Sequence, residues 1–192
     1  GIFACLAAFL VLVLLLSALV GTAVFSVAKN ANAIDDVRAG NSVIAGLRSI
    51  RSELESITRD NAYWDDAARV AYIEPSQEWM EETWGVTTRD YPLYDTAAVV
   101  DFGGKTIMAW RKGDALSVTA EQLFPLTFKD MAFRLRHQMA NGTKTPVITE
   151  FTASPGGMIV VSAAPIAPTT TVEGFDPGRV AILVFSKFIG DE

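Results

Sequence analysis

The densest chemistry in the chain is the run Asp60-Asn61-Ala62-Tyr63-Trp64-Asp65-Asp66. Three carboxylates, an amide and two amphipathic aromatics stand together there. Such a set can hold an ammonium or another cationic group by cation–π contact and charge-assisted hydrogen bonds. It suits acid–base catalysis poorly. On a helix Asp65 and Asp66 diverge by about 100 degrees, so they cannot share a proton. Asn61, Trp64 and Asp65 instead fall on one helix face by three-and-four spacing. Asp65 is the carboxylate expected to point inward, because it adjoins the stripe Leu54, Asn61, Trp64. Its structural alternative is to accept backbone N–H groups from a following loop.

The surroundings repeat this character. All four tryptophans and all four tyrosines lie between Tyr63 and Trp110. From Asp60 to Asp101 ten carboxylates oppose only Arg69 and Arg89, a local charge of −8. Residues 102–144 invert this, with seven basic groups against three acidic ones. A small cationic or zwitterionic ligand is expected between the Trp64 region and a sheet, touching Trp64, Asp65, Tyr72 and Trp110. The competing reading is structural. Tryptophan and tyrosine fill cores, and their N–H and O–H groups need partners when buried. Glu78, Glu81 and Glu82 read as a solvated face.

Other chemistries find little support. The single cysteine, Cys5, excludes a disulfide framework, and one histidine, His137, makes a poor zinc site. The net charge of −6 disfavours a nucleic-acid partner. There is no nucleophile elbow. Gly103-Gly104 and Gly156-Gly157 lie between strands, whereas a phosphate loop opens a helix. No cofactor and no metal are expected. An envelope enzyme using Asp65 or Asp66 remains a lesser hypothesis.

The elements that must position these residues begin with residues 2–28, which carry no charged side chain. About 20 apolar residues span a bilayer, and a cleaved signal peptide has a core of only about 7–15. Residues 1–28 are therefore expected to be a retained single-pass transmembrane anchor, and residues 29–192 an extracytoplasmic domain. No second run of this kind occurs, which excludes a polytopic membrane protein. From Lys29 to about residue 72 the chain reads as helix. A stripe at Leu47, Leu54, Asn61, Ala68 and Ile50, Ile57, Trp64, Ala71 gives it one apolar face. That face is either packed on its own domain or a dimer seam, so a homodimer is expected.

Glu74-Pro75-Ser76 ends this helix. A short helix over 76–84 and a loop over 85–95 are expected next. Strands follow at 96–102 and 105–111, then a helix over 119–140 with Thr119 as N-cap, then strands at 146–152, 158–164 and 179–187. The stretch 165–178 reads as a long loop. The expected class is α+β: a five-stranded antiparallel sheet with helices on one side, behind a long N-terminal helix. Type IV pilins and pseudopilins also lead from an apolar helix into a sheet. The processed pilin chain typically carries an early glutamate, and here no acidic residue precedes Asp35. A minor pilin-like structural protein is kept as the alternative.

Asn61, Ala62, Trp64, Asp65 and Asp66 resemble the signature of the fourth class of CHASE domains, sensory modules of bacterial and archaeal signalling proteins. The segment Ala98 to Lys105 resembles the family's turn of a hydrophobic strand, Asp, Gly and Lys. Met158 to Ile166 and Gly178 to Phe185 resemble its final pair. The resemblance covers roughly residues 30–190. The family pattern has an aromatic two residues past the second Asp of the motif; Ala68 stands there, with Tyr72 as the nearest substitute. The resemblance implies a PAS-like or Cache-like periplasmic domain at the bacterial inner membrane. It also implies a second membrane helix and a cytoplasmic output domain, as in a histidine kinase, diguanylate cyclase, phosphodiesterase or chemoreceptor. The ligand would be a small molecule or a periplasmic binding protein, with Asn61, Trp64, Asp65, Asp66, Tyr72 and Trp110 as the binding residues.

Overall fold

The computed structural model describes residues 40–154 and 156–190. By its contacts the chain divides into residues 1–47 and 48–192. Of the first unit only 40–47 are described, and these are helical. The expected membrane anchor lies outside the described residues. Among the described residues no helix is long and apolar enough to cross a membrane.

Helix α1 covers residues 40–62. Within the second unit it places Leu54 fully in the core, with Ile50 and Ile57 packed against the same cluster. The helix was expected to run on to residue 72, but it breaks at Tyr63 and Trp64. Trp64 is extended, at φ −141° and ψ 131°. The cause is long-range. The Ala62 carbonyl, which would accept the next helical N–H, accepts that of Ala167 at 3.0 Å. The Tyr63 hydroxyl donates to the Pro146 carbonyl at 2.9 Å. Asn61, Trp64 and Asp65 therefore do not share a helix face.

Helix α2 restarts at once, over Asp65–Tyr72, with Asp65 and Asp66 in its first turn, where negative charge suits the helix dipole. It stops ahead of Pro75, whose ring disfavours helical geometry in the residue before it. Helix α3, Gln77–Met80, begins at Ser76, whose side chain accepts the Trp79 N–H at 3.2 Å. It continues as a π turn over Glu81–Gly85 and a 3-10 turn over Val86–Arg89, where a loop was expected from residue 85. This winding buries Trp84 completely and lays Gly85 on the Trp110 indole. A Cβ at Gly85 would sit 2.7 Å from that ring.

The sheet has six antiparallel strands rather than five: β1 Thr96–Val100, β2 Thr106–Arg111, β3 Asp114–Ala115, β4 Ile148–Ser154, β5 Gly157–Pro165 and β6 Ile182–Ile189. Their spatial order is β3-β2-β1-β6-β5-β4. The additional strand, β3, is two residues long and follows a tight turn at Lys112 (φ 50°) and Gly113 (φ 83°). Positive φ at both central residues marks the hairpin turn whose twist matches its strands. β1 is buried at every position, and so are most of β5 and β6. Strands covered on both faces read as continuous apolar runs rather than as alternation.

Register shows what covers each face. Trp110, Ala97, Phe185 and Ser162 lie in one row across β2, β1, β6 and β5. Gly85 rests on Trp110, and the Tyr94 ring stacks on Phe185 with centroids 4.0 Å apart. Glu150, one position beyond Thr149 in that row, points to the opposite face and pairs with Arg134. Arg134 belongs to helix α5, Phe128–Ala140. Helical segments thus cover both faces of the sheet, not one. The expected single helix over 119–140 is also split. Thr119 and Gln122 form a reciprocal capping box on α4, Ala120–Leu123. Phe124, just before Pro125, leaves helical geometry at ψ 61°.

Candidate functional site

The β5–β6 connection, residues 166–181, is held by two of the expected site residues, Tyr72 and Asp65. Its two ends are held together. Ile166 N–H donates to the Ala181 carbonyl at 2.9 Å. The Tyr72 hydroxyl sits between them, donating to the Ile166 carbonyl at 2.6 Å and accepting the Ala181 N–H at 2.9 Å. Burial pushes the Tyr72 phenol above the ordinary tyrosine range, against a smaller opposing effect of the Ala181 hydrogen bond. Its ring also meets Phe175 of the loop at 5.5 Å.

Asp65 grips the loop further along. Its Oδ1 accepts the Thr169 N–H at 2.6 Å, the Thr169 hydroxyl at 2.9 Å and the Thr170 N–H at 3.2 Å. Its Oδ2 accepts the Thr170 hydroxyl at 2.8 Å. These bonds, the Thr170 hydroxyl first, hold the Asp65 carboxyl below the usual aspartate value. The carboxylate does bind backbone N–H groups, as its structural alternative had it, but in a loop 104 residues away. The Ala62 carbonyl adds the bond from Ala167. The broken end of α1, the start of α2 and Tyr72 together form a clasp on one loop.

The other expected residues lie around this clasp. Asn61 Nδ2 donates to the Ile57 carbonyl at 2.9 Å, and its Oδ1 accepts the buried Trp84 indole N–H at 3.0 Å. Trp64 is 39% exposed and meets Trp79 at 5.3 Å, which in turn meets Trp84 edge-on at 5.4 Å. Asp66 is exposed and pairs with Arg69, which also binds Glu74 at 2.7 Å. Trp110 borders a separate cleft of about 430 Å³ beside Gln77 and Glu81. The six residues are not gathered in one cavity.

Tyr72 does border a cleft, of about 590 Å³, between the loop and the β1–β2 turn. Asp101, Phe102, Ile107, Asp176 and Arg179 complete its principal lining. Arg136 of α5 approaches the same turn, donating from Nη2 to the Asp101 carbonyl at 2.8 Å. Phe102, Arg136 and Arg179 were not singled out from the sequence. Gly178-Arg179-Val180 resembled a family segment, yet nothing in it marked Arg179 as facing a cleft. Thr169 and Thr170 were hidden in a Pro/Thr-rich stretch. Among the described residues no group of three or more His, Cys, Asp or Glu could hold a metal ion.

The model of the CHASE4 domain matches residues 47–192, well over half of the chain. The chain belongs to the CHASE4 family. CHASE4 domains are extracytoplasmic sensory domains of signalling proteins, and the CHASE4 domain is itself non-catalytic. No curated protein matches the chain. The CHASE4 match begins inside α1 and takes in the whole clasp, the sheet and both clefts.

Proposed function

We propose that this CHASE4 domain receives a small ligand in the cleft bordered by Tyr72, Phe102 and Arg179, and passes the event to α1 through the clasp on the β5–β6 loop. The observation that carries this reading is the double grip of Tyr72 and Asp65. Residues of that loop line the cleft, while the same loop is bonded to the broken end of α1 through Ala62 and to the start of α2 through Asp65. A ligand that prefers one loop position must then bias the helix, by as much as its affinities for the two positions differ. The strand order β2-β1-β6-β5-β4 under helical cover supports a PAS-like or Cache-like domain. Residues 1–28 serve as a single-pass anchor at the inner membrane, the domain lies in the periplasm, and two copies pair along their membrane-proximal helices. The output domain follows the membrane return.

The test uses the full signalling protein in membranes, with its output read directly. Tyr72→Phe and Asp65→Ala should each change basal output or blunt its response to stimulus, with the protein still inserted and folded. Output that is unaltered in both variants would refute the role of the clasp.

A further inference from the structure

We infer that the Phe102 cleft takes a small zwitterion of the amino-acid type, its carboxylate on the guanidinium of Arg179 and its ammonium on Asp101 and Asp176. This deepens the sensory reading and rests on it. Phe102 stands in the β1–β2 turn and is 44% exposed. The Arg136 guanidinium lies 5.7 Å from the centroid of that ring, and the Arg179 guanidinium 5.2 Å. Two cations thus share one apolar ring, and neither forms a salt bridge among the described residues. Arg136 is half-buried and its Nε has no hydrogen-bond partner. Burial lowers its proton affinity, and the nearby Asp101 carboxylate opposes that effect. A guanidinium fork suits the plane of a carboxylate.

The acids of the cleft complete the selection. Asp101 Oδ1 accepts the Lys105 N–H at 2.8 Å, and Asp176 Oδ1 accepts the Gly178 N–H at 2.8 Å. Each carboxylate folds its own turn with one oxygen and keeps the other for a cation. Arg179 stands against Asp101 and Asp176 in the cleft, so a dianion such as phosphate is opposed by the aspartates and a diamine by the arginine, while a zwitterion meets each sign. Phe102 and Ile107 supply the apolar wall for a side chain. The binding position differs from that expected around Trp64, whose neighbouring carboxylates are spent on the loop and on Arg69.

The experiment is calorimetric titration of the 192-residue chain in detergent with L-alanine, L-leucine and L-phenylalanine, and with propionate, ethylammonium and inorganic phosphate for comparison. At least one amino acid should bind at least tenfold more tightly than propionate or ethylammonium. Arg179→Gln, an exposed loop position, should remove that binding, and Asp176→Asn should weaken it. Arg59→Gln, on a half-buried arginine of α1 paired with Glu55 and outside the cleft, should leave it unchanged. Circular dichroism of Arg179→Gln separates lost binding from lost fold. Absence of amino-acid binding, equal binding of propionate, preferential binding of phosphate, or binding that survives Arg179→Gln would each overturn the assignment. Binding that never alters output in the full signalling protein would leave the site standing and sink the sensory reading instead.

Discussion

The Oδ2 of Asp65 and the hydroxyl of Thr170 lie 2.8 Å apart across 105 residues of chain. With the bonds from Thr169 this makes one exposed carboxylate the acceptor for two hydroxyls and two backbone N–H groups. An exposed charge would ordinarily be solvated and inert. Here its lone pairs order a loop that has no regular structure.

Asp65→Asn should lower the melting temperature and speed hydrogen exchange in residues 166–181. The pH dependence has a definite sign. Because Asp65 is held below the ordinary aspartate value of about 3.9, its contribution is complete above that pH. It is lost as pH falls through the lower value of the folded state. Wild type and Asp65→Asn should therefore differ at neutral pH and converge in strong acid. A difference that persists unchanged in strong acid would exclude the carboxylate as its source.

Tyr72 predicts the behaviour at the alkaline end. Its folded-state ionisation is raised, as is that of Tyr63, so each stabilises the fold fully below the unfolded value of about 10. That stability drains away as pH rises through the folded values. Burial raises Tyr94 as well, so absorbance titration should show three of the four phenols resisting ionisation until the protein unfolds. Tyr72→Phe should remove one of them and cost about 1–3 kcal/mol in urea, from the Ala181 N–H and Ile166 carbonyl left unpaired.

The Asn61–Trp84 bond is open to a double-mutant cycle. Asn61→Ala strands the indole N–H of a fully buried tryptophan and should cost about 1–3 kcal/mol. Combined with Trp84→Phe, which removes the donor, the two losses should add to less than their sum. Strict additivity in urea denaturation would show that the bond contributes nothing.

Gly85→Ala should destabilise by roughly 1–3 kcal/mol, because the added methyl meets the Trp110 ring at 2.7 Å. Trp110→Leu in the same chain should recover part of that loss, as read from thermal melts. No recovery would place the strain in the π turn rather than at the ring.

Much of the sheet was legible because its strands are short apolar runs bounded by turn residues. β1, β2, β5 and β6 fall within a few residues of their expected positions for that reason. The break at Tyr63–Trp64 was not legible, since the apolar spacing continues through it. What stops the helix is the Ala167 N–H and the Pro146 carbonyl, both distant in sequence. The strand at Asp114–Ala115 was too short to carry a pattern, although Lys112-Gly113 is a turn signal. The expected 119–140 helix is split because Pro125 bars the preceding Phe124 from helical geometry. For the site, composition drew attention to the acidic aromatic stretch. Summed charge does not reveal which carboxylates are already spent, and Asp65, Asp66 and Glu74 are each occupied by neighbours in the fold.

The closed base of the β5–β6 loop separates two evolutionary demands. Ile166 and Ala181 are bonded to each other and to one tyrosine, so strand pairing below them does not depend on what lies between. Each doubling of loop length adds only about 0.6 kcal/mol of closure cost. The segment around Gly174 to Arg179 can thus lengthen, shorten or change its chemistry while the frame stays constant. A single scaffold can in this way be retuned to new stimuli by rewriting a dozen surface positions, with the transmitting helix inherited unchanged.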